Sequence, residues 1–416
     1  MSTSIRSGTA NTYDASLRNI LSRQVDLAAL QDKLTSGKKI VRTSDDPTGA
    51  ANAERSLTRI SRIATDQRAL ASQRDTIVQA ESTLGDVTSA LQSFRELVIS
   101  AGDGSITSAN RQSIAVQLQG LRDQIFAMSN EQDINGQPLF GALGSASAPF
   151  VGPQAVAPDY TFNGLPGTTG TNTVSIPNAL DGNAAFMLAP ASDASYHITN
   201  SNASTQLTTS SVTLTDSSLV TGSTYTISNL SVTAGATAGK NKVTYDLTET
   251  PAGTSTPLPT VSVTSSDYTI SGTNIPITLP GVSLTLSGTP SATDTINMTP
   301  NASIFSVLDN AIKDIGGASG NAGAAQAISQ ALANIDIGMA HISAVRGQAG
   351  ALLNRADSIS SNLEQSDIHL KAAKSNAEDI DMTTGISEFQ NKQTGYSAAL
   401  QSYASVQKLS LFNFIS

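Results

Sequence analysis

Two adjacent acidic residues, Asp45 and Asp46, stand directly before Pro47 and are the first candidates for chemistry in this chain. Paired carboxylates can bind a divalent metal ion, or act together as a general acid and a general base. They also fit a helix start, because Asp is a favoured N-cap residue and Pro is favoured at the first helical position. A catalytic pair needs partner groups in a pocket, and no partner is evident in the sequence. We therefore interpret the segment as a junction between two helices.

The remaining candidates for chemistry are three histidines and one glycine-rich segment. His197, His341 and His369 show neither His-x-x-x-His nor His-Glu-x-x-His spacing, so no metal site is expected. Residues 316–325 lack the Lys-Ser/Thr pair of a phosphate-binding loop and predict a flexible turn. The chain has no cysteine, which excludes disulfides and thiolate catalysis. The sequence thus predicts no enzyme, with no catalytic, cofactor or metal site.

Composition limits the class of protein further. The net charge of −9 disfavours nucleic acid as a partner, because nucleic-acid binders present a basic face. The polar N-terminus has no apolar signal region, and no run of residues is apolar enough for a membrane span. We expect a chain that is cytoplasmic or exported without a cleaved signal. Aromatic residues make up only 4% of the chain, so we expect burial along thin helical seams.

Helical periodicity dominates residues 1–140 and 301–416. Apolar residues recur in steps of three, four or seven, as on a helix face or an a/d seam, and such seams must be buried against partner helices. The N-terminal zone carries these steps at Tyr13, Leu17, Ile20, Leu27 and Leu34, and at Leu84, Val87, Leu91, Phe94, Val98 and Ala101. The C-terminal zone carries them at Ile328, Leu332, Ile335, Met339 and Ile342, and at Phe389, Tyr396, Leu400 and Tyr403.

Residues 150–300 have a different composition, rich in Thr, Ser, Gly, Val and Pro. Short alternating runs such as "STYTISNLSVT" and "VSLTLSG" predict β-strands separated by turns, and a disordered linker is the less favoured alternative. The predicted fold is therefore α+β and multidomain. Long N- and C-terminal helices pair as a coiled coil or helical bundle, and a β-rich domain is inserted between them.

We divide the chain into five predicted segments. An N-terminal inner helical arm covers 1–40, and the two parts of a helical core domain cover 41–148 and 301–370. The inserted β-rich outer domain covers 149–300. A C-terminal inner helical arm covers 371–416.

The helix junction also carries a resemblance. "LTSGKKIVRTSDDPTGAANAERSL", residues 34–57, resembles the N-terminal signature of the flagellin superfamily, and in particular its hook-filament junction proteins. Flagellins typically place Ala after the acidic pair, where this chain has Pro47. Three further segments are similar to the junction proteins: "IRSGTANTYDASLRNI", "DINGQPLFGALGSASAPF" and "QKLSLFNFIS". Ala142 departs from their usual second Gly.

The resemblance implies a structural adaptor of the bacterial flagellum without catalysis. Such a protein would be extracellular, at the hook-filament junction, after passing through the flagellar type III export apparatus without a cleaved signal. It would assemble as a homo-oligomeric ring, through packing of its terminal helices, with the β-rich domain facing outward. Its implied partners are a neighbouring hook-associated protein, flagellin and an export chaperone. Two alternatives stay open: a bulk filament flagellin, and a surface adhesin that uses the β insert.

This interpretation assigns two groups of functional residues. Ser44, Asp45, Asp46 and Pro47 would fix the elbow between inner and outer helical layers. The self-assembly residues would be Leu17, Ile20, Leu27, Leu34, Phe389, Tyr396, Leu400, Tyr403, Leu409, Leu411, Phe412 and Phe414.

Overall fold

The computed structural model describes residues 9–155, 159–201, 207–269, 274–318 and 320–415. The helices within these ranges are α1 (Thr9–Ser36), α2 (Pro47–Ser100), α3 (Ser108–Ser129), α4 (Gly182–Phe186), α5 (Pro190–Asp193), α6 (Ile304–Gly317), α7 (Asn321–Glu378) and α8 (Met382–Ile415). The strands are β1 (Phe150–Val151), β2 (Thr161–Phe162), β3 (Tyr196–Asn200), β4 (Thr208–Thr209), β5 (Thr213–Leu214), β6 (Thr224–Ala234), β7 (Lys240–Thr250), β8 (Val261–Thr264), β9 (Tyr268–Thr269), β10 (Asn274–Leu279), β11 (Val282–Ser287) and β12 (Ile296–Pro300).

The element order confirms the predicted fold class, with long terminal helices and a β-rich middle region. The chain divides into two compact units. We call residues 1–68 with 360–416 the terminal unit, and residues 69–359 the central unit.

An antiparallel pair of long helices runs through the central unit. The five predicted seam positions of α2 from Leu84 to Val98, and Ala101 directly after its end, are all fully buried. Two ion pairs show its register against α7: Arg74 Nε lies 3.3 Å from Asp357 Oδ1, and Arg95 Nε lies 3.2 Å from Asp336 Oδ1. Because a higher residue number on α2 meets a lower one on α7, the two helices are antiparallel.

The predicted flexible turn at 316–325 is mostly helical. Gly316 and Gly317 end α6, and α7 already begins at Asn321. Glycine lowers helix stability by about 1 kcal/mol relative to alanine, but tertiary packing can offset this. Ala324 is buried, and a side chain at Gly316 would lie 3.1 Å from Ala115. Close packing therefore holds these residues in helices.

A dense aromatic cluster in the central unit shows that the expectation of thin seams alone was wrong. Phe305 lies at its centre, fully buried, with ring centroids 5.2 Å from those of Phe126 and Tyr160. The rings of Phe150 and Phe186 lie 5.6 and 5.7 Å from it. These five of the chain's 18 aromatic residues pack together where α3, α6 and the segment between them meet.

The β insert is built from two larger sheets around one core. The six-stranded sheet has the order β3-β12-β6-β7-β8, with β9 also pairing with β7. The four-stranded sheet has the order β10-β11-β4, with β5 also pairing with β11. All the pairings are antiparallel, and inward-facing residues of both sheets form one hydrophobic cluster that includes Tyr225, Val243, Ile277, Leu286 and Met298.

Polar side chains of α7 hold the insert at its sheet edges. Gln326, Gln330 and Asn334 follow each other at four-residue spacing and therefore share one face of the helix. Gln330 accepts a hydrogen bond from the Ile198 amide at 3.4 Å, and Asn334 donates one to the Tyr196 carbonyl at 2.9 Å. We call these three side chains the amide row. Gln330 and Asn334 bond to backbone groups of β3 that a neighbouring strand could otherwise pair with.

Candidate assembly site on the terminal helices

The terminal unit contains an antiparallel helix pair made from α1 and α8. At one end the rings of Tyr13 and Tyr403 lie 5.5 Å apart. At the other end α8 passes so close that a Cβ at Gly385 would lie 2.8 Å from Leu34 Cδ2. The glycine therefore sets how closely the helices approach. Further along the pair, a Cβ at Gly395 would meet Arg23 Nη1 at 2.8 Å.

The predicted self-assembly residues differ widely in burial. Ile20 is buried at 8% exposure, whereas Leu17 and Leu400 are exposed at 39% and 41%. Half-buried positions are Leu27, Leu34, Phe389, Tyr396 and Tyr403. The side chains of Leu409, Leu411, Phe412 and Phe414 lie outside the part of the chain that the structure describes.

One side of α1 carries large apolar side chains that the described residues leave uncovered. Leu17, Leu21 and Val25 stand at four-residue spacing on one helix face, and Val25 is 67% exposed. We call these three residues the apolar row. Sequence reasoning missed Leu21 and Val25, and it also missed Leu30, which is buried in the terminal unit. Contiguous exposed apolar residues on a folded surface are a typical sign of an interaction site.

The elbow between α1 and α2 is held against the turn between α7 and α8. Gly37 ends α1 with a φ of +73°, a left-handed conformation that favours glycine. The Lys39 amide donates to the Glu378 carbonyl at 2.8 Å, and the Ile380 amide donates to the Gly37 carbonyl at 3.0 Å. The Lys38 ammonium forms an ion pair with the Glu378 carboxylate, which raises the pKa of Lys38. Backbone hydrogen bonds and one ion pair thus join the two turns.

The predicted elbow residues occupy the loop and the first turn of α2. Ser44 lies in the turn, and α2 begins at Pro47. Asp46 caps the helix, because its Oδ1 accepts hydrogen bonds from the amides of Thr48 at 3.1 Å and Gly49 at 2.9 Å. These hydrogen bonds lower the pKa of Asp46, and the bond from the Gly49 amide contributes most. The pair Asp45–Asp46 therefore shapes the backbone here.

Asp45 serves the loop instead of the helix. Its Oδ2 accepts from the amides of Arg42 at 3.0 Å and Val41 at 3.1 Å. The hydrogen bond from Arg42 contributes most to lowering the pKa of Asp45. The two adjacent carboxylates are thus turned to different backbone segments and do not converge on one point.

Asp381 gives α8 the same kind of start. Its Oδ1 accepts from the Thr383 amide at 2.9 Å, and its Oδ2 accepts from the Thr384 hydroxyl at 2.9 Å. The hydrogen bond from the Thr384 hydroxyl is the main cause that lowers the pKa of Asp381. Sequence reasoning did not assign this residue, although an Asp just before a helical run with Thr-Thr is a readable capping signal.

Acid should weaken these caps in a defined pH range. A carboxyl whose folded pKa is lowered stabilises the fold above its unfolded pKa, about 3.9 for Asp, and this stabilisation is lost as pH falls through the folded pKa. We expect constant hydrogen-exchange protection of residues 41–53 from pH 7 to 5 and a loss below about pH 4, measured by mass spectrometry after correction for intrinsic exchange.

The variant Asp46→Asn is the matched control for this titration. Asn is an equally favoured N-cap and does not titrate, so its protection at Thr48 and Gly49 should persist in acid. Loss of protection at the same pH in the wild type and the Asn variant would contradict the role of the Asp46 carboxylate.

The described residues also bear on chemistry and membranes. Among them, no group of three or more His, Asp or Glu side chains is placed to hold a metal ion. In the same part of the chain, no helix combines the length and apolar character needed to cross a membrane. His197 and His341 instead face Asp314 and Asp193, with Nε2 to Oδ2 distances of 2.8 and 3.2 Å.

Comparison with known families agrees with this architecture. Residues 9–144 match the bacterial flagellin N-terminal helical region, and residues 332–415 match the bacterial flagellin C-terminal helical region. Together the two regions cover just over half of the chain and include α1, the elbow and α8. The chain therefore belongs to the flagellin family, with a β-rich insert between the two matched helical regions.

Within that family the chain is similar to flagellar hook-associated protein 3. The Salmonella typhimurium LT2 protein of that name is 32% identical over 149 residues, which are 35% of this chain and 46% of that protein. The Escherichia coli K12 protein gives the same values. The match thus spans about half the length of these relatives. Flagellin of Bacillus subtilis 168 is also 32% identical, but over 110 residues, 26% of this chain and 36% of that protein.

Solved structures share the fold. The flagellar hook-associated protein-3 of Legionella pneumophila has a TM-score of 0.59 and 23% identity, covering 77% of this chain and 97% of that one. FlgL of Xanthomonas campestris has a TM-score of 0.55 and 21% identity, covering 78% and 99%. The arrangement of long terminal helices and a β-rich middle is therefore common to these proteins.

Proposed function

We propose that this chain is a structural adaptor of the bacterial flagellum, which assembles as a ring joining hook to filament. The observation that carries the proposal is the α1–α8 pair, whose apolar row remains uncovered on the described chain while its elbow is firmly hydrogen-bonded. Burial of a Leu or Val side chain contributes about 1.5–3 kcal/mol, so packing of such rows between copies would stabilise an assembly. The similarity to hook-associated protein 3 supports the junction as its position.

The partners follow from the same proposal. The adaptor would contact a neighbouring hook-associated protein on one side and flagellin on the other. It would leave the cell through the flagellar type III export apparatus, with the help of an export chaperone, and act outside the cell. In this scheme the arms 1–40 and 371–416 form the inner layer, 41–148 and 301–370 form the core domain, and 149–300 faces outward.

Two rival functions predict different locations. A bulk flagellin would occupy the whole filament, and the match to Bacillus subtilis flagellin is the observation that favours it. An adhesin would act through the β insert. The longer match to hook-associated protein 3 favours the junction over both.

Immunogold electron microscopy would separate these possibilities. An epitope tag inserted after Gly253, in an exposed turn of the insert, leaves both helical regions untouched. The adaptor proposal predicts gold particles in a single band where hook meets filament. Labelling along the full filament would indicate a flagellin, and labelling of the cell body would indicate an adhesin.

The C-terminal apolar run should be needed for assembly but not for the insert. Deletion of 409–416 removes five large apolar side chains from α8, so we expect the variant to keep a folded insert but to build no junctions. Hydrogen exchange of β6 and β7 reports the fold, and electron microscopy of cells that carry only this variant reports assembly.

A matched pair of substitution variants tests whether apolar character is the cause. Replacement of Leu409, Leu411, Phe412 and Phe414 by Ser should reproduce the deletion. Replacement of the neighbouring polar residues Lys408 and Asn413 by Ser should leave junctions intact. Junctions of normal yield in the apolar-to-Ser variant would refute the packing role of this segment.

A further inference from the structure

Three arginines form a row on the first part of α2, within the terminal unit. Arg55, Arg59 and Arg62 are spaced by four and three residues, so they share one face of the helix. All three are exposed, and among the described residues none forms an ion pair. Asp66 lies one turn further on and ends the row. We call Arg55, Arg59 and Arg62 the arginine row.

The two units carry very different net charges. The terminal unit has 15 Lys and Arg residues against 13 Asp and Glu, a net charge of +2. The central unit has 9 against 20, a net charge of −11. The arginine row thus stands on the basic unit of an acidic chain. Complementary patches of this kind favour association and fix its register.

The later part of α2, within the central unit, presents the opposite charge. Its basic residues Arg74 and Arg95 are engaged in ion pairs with α7. The acidic residues Asp75 and Asp86 are exposed and form no ion pair among the described residues. Their separation of eleven residues is close to three helical turns, so they lie on one face.

We propose that the arginine row docks against the acidic face of the central unit of a second copy of this chain, at Asp75 and Asp86. This inference rests on the proposed self-assembly and names the surface that sets its register. The proposed ring requires a heterologous contact, from the row of one copy to the acidic face of the next, because heterologous contacts generate rings or helical arrays.

Site-specific photo-crosslinking tests the contact on the full chain in cells that build flagella. A photoreactive amino acid at Thr58, an exposed position beside the row, leaves the arginines in place. The proposal predicts a crosslink to residues 69–359 of a second copy, identified by mass spectrometry. Crosslinks only to a different protein, or none at all, would overturn it.

Charge reversal then tests whether opposite charges cause the contact between copies. The triple variant R55E/R59E/R62E should lower the yield of crosslinked dimer at least tenfold, and adding D75R/D86R should restore it. The control R68E/K242E/K313E changes the net charge equally at positions outside both faces and should keep the wild-type yield. Equal yields in the two triple variants would overturn the proposal, as would failure of D75R/D86R to restore the crosslink.

These results separate the contact from the junction function. If a strain without the gene is defective but the R55E/R59E/R62E variant restores normal junctions and crosslinks, only the contact fails. If the gene is dispensable for the filament, the junction function fails, whatever the crosslinks show.

Discussion

Replacing Phe305 with Ala is expected to lower the free energy of unfolding of the central unit by about 3–5 kcal/mol. Phe305 is fully buried, and its ring contacts those of Phe126, Phe150, Tyr160 and Phe186 at centroid distances of 5.2–5.7 Å. The truncation leaves a cavity whose walls come from α3, α6 and the segment between them, and these cannot close together without moving several rings. Native-state hydrogen exchange of α3 and α6 amides measures the change.

Phe162→Ala is the matched control. Phe162 belongs to the same region but is only half-buried, and the ring of Phe150 is its one aromatic neighbour in the described residues, at 5.1 Å. It should therefore lose much less stability than Phe305→Ala. Equal losses in the two variants would show that the cluster has no centre at Phe305.

Replacing Gln330 with Leu is expected to weaken the packing of the β insert against α7 by about 2–6 kcal/mol. Gln330 is 5% exposed, and its amide serves two groups of the insert: the Ile198 N–H at 3.4 Å and the Thr209 hydroxyl at 2.8 Å. Leu has a similar size but leaves both groups without this partner, and each orphaned buried group costs about 1–3 kcal/mol. Hydrogen exchange of β3 and β4 should accelerate, while that of α1 and α8 should not.

The same substitution at Gln348 separates this effect from a general change of α7. Gln348 is exposed on the same helix, so Gln348→Leu should change stability by no more than about 0.5 kcal/mol. Similar exchange in the two variants would show that the amide row does not hold the insert against α7.

Local patterns predicted the elements well. The strict three-four alternation in α2 predicted five residues, and Ala101 just after the helix, that are all fully buried, because a repeating apolar face can be read from one helix alone. The start of α2 at Pro47 was also predictable, because a helix start depends on residues that are close together in the sequence. The Asp46 cap involves only neighbours along the chain, and its chemistry is carried by the residue types themselves.

Contacts between distant segments were not readable. The aromatic cluster joins Phe126 to Phe305 across almost 180 residues, and no local spacing indicates that they meet. Gln330 has the appearance of an ordinary polar residue on a helix, and only the edge of β3 reveals its function. The ion pair of Lys38 with Glu378, which links the two turns of the elbow, likewise depends on the tertiary fold.

The candidate site was predictable only in part, because helix periodicity does not show which apolar side faces the partner helix. Periodicity identified Ile20 and Tyr403, which lie within the α1–α8 pair, but it also selected Leu17, which is exposed. A helix with apolar residues on two sides does not reveal from its sequence which side faces its own partner helix. The side left over, the apolar row, is the one on which the assembly proposal depends.

Deletion of the gene tests whether the protein joins hook to filament. Flagella of the deletion strain would be viewed by electron microscopy, and flagellin in the medium would be assayed. A junction adaptor predicts bare hooks together with flagellin shed into the medium, and restoration of filaments when the gene is returned. Filaments of normal length on the deletion strain would contradict the proposed junction function.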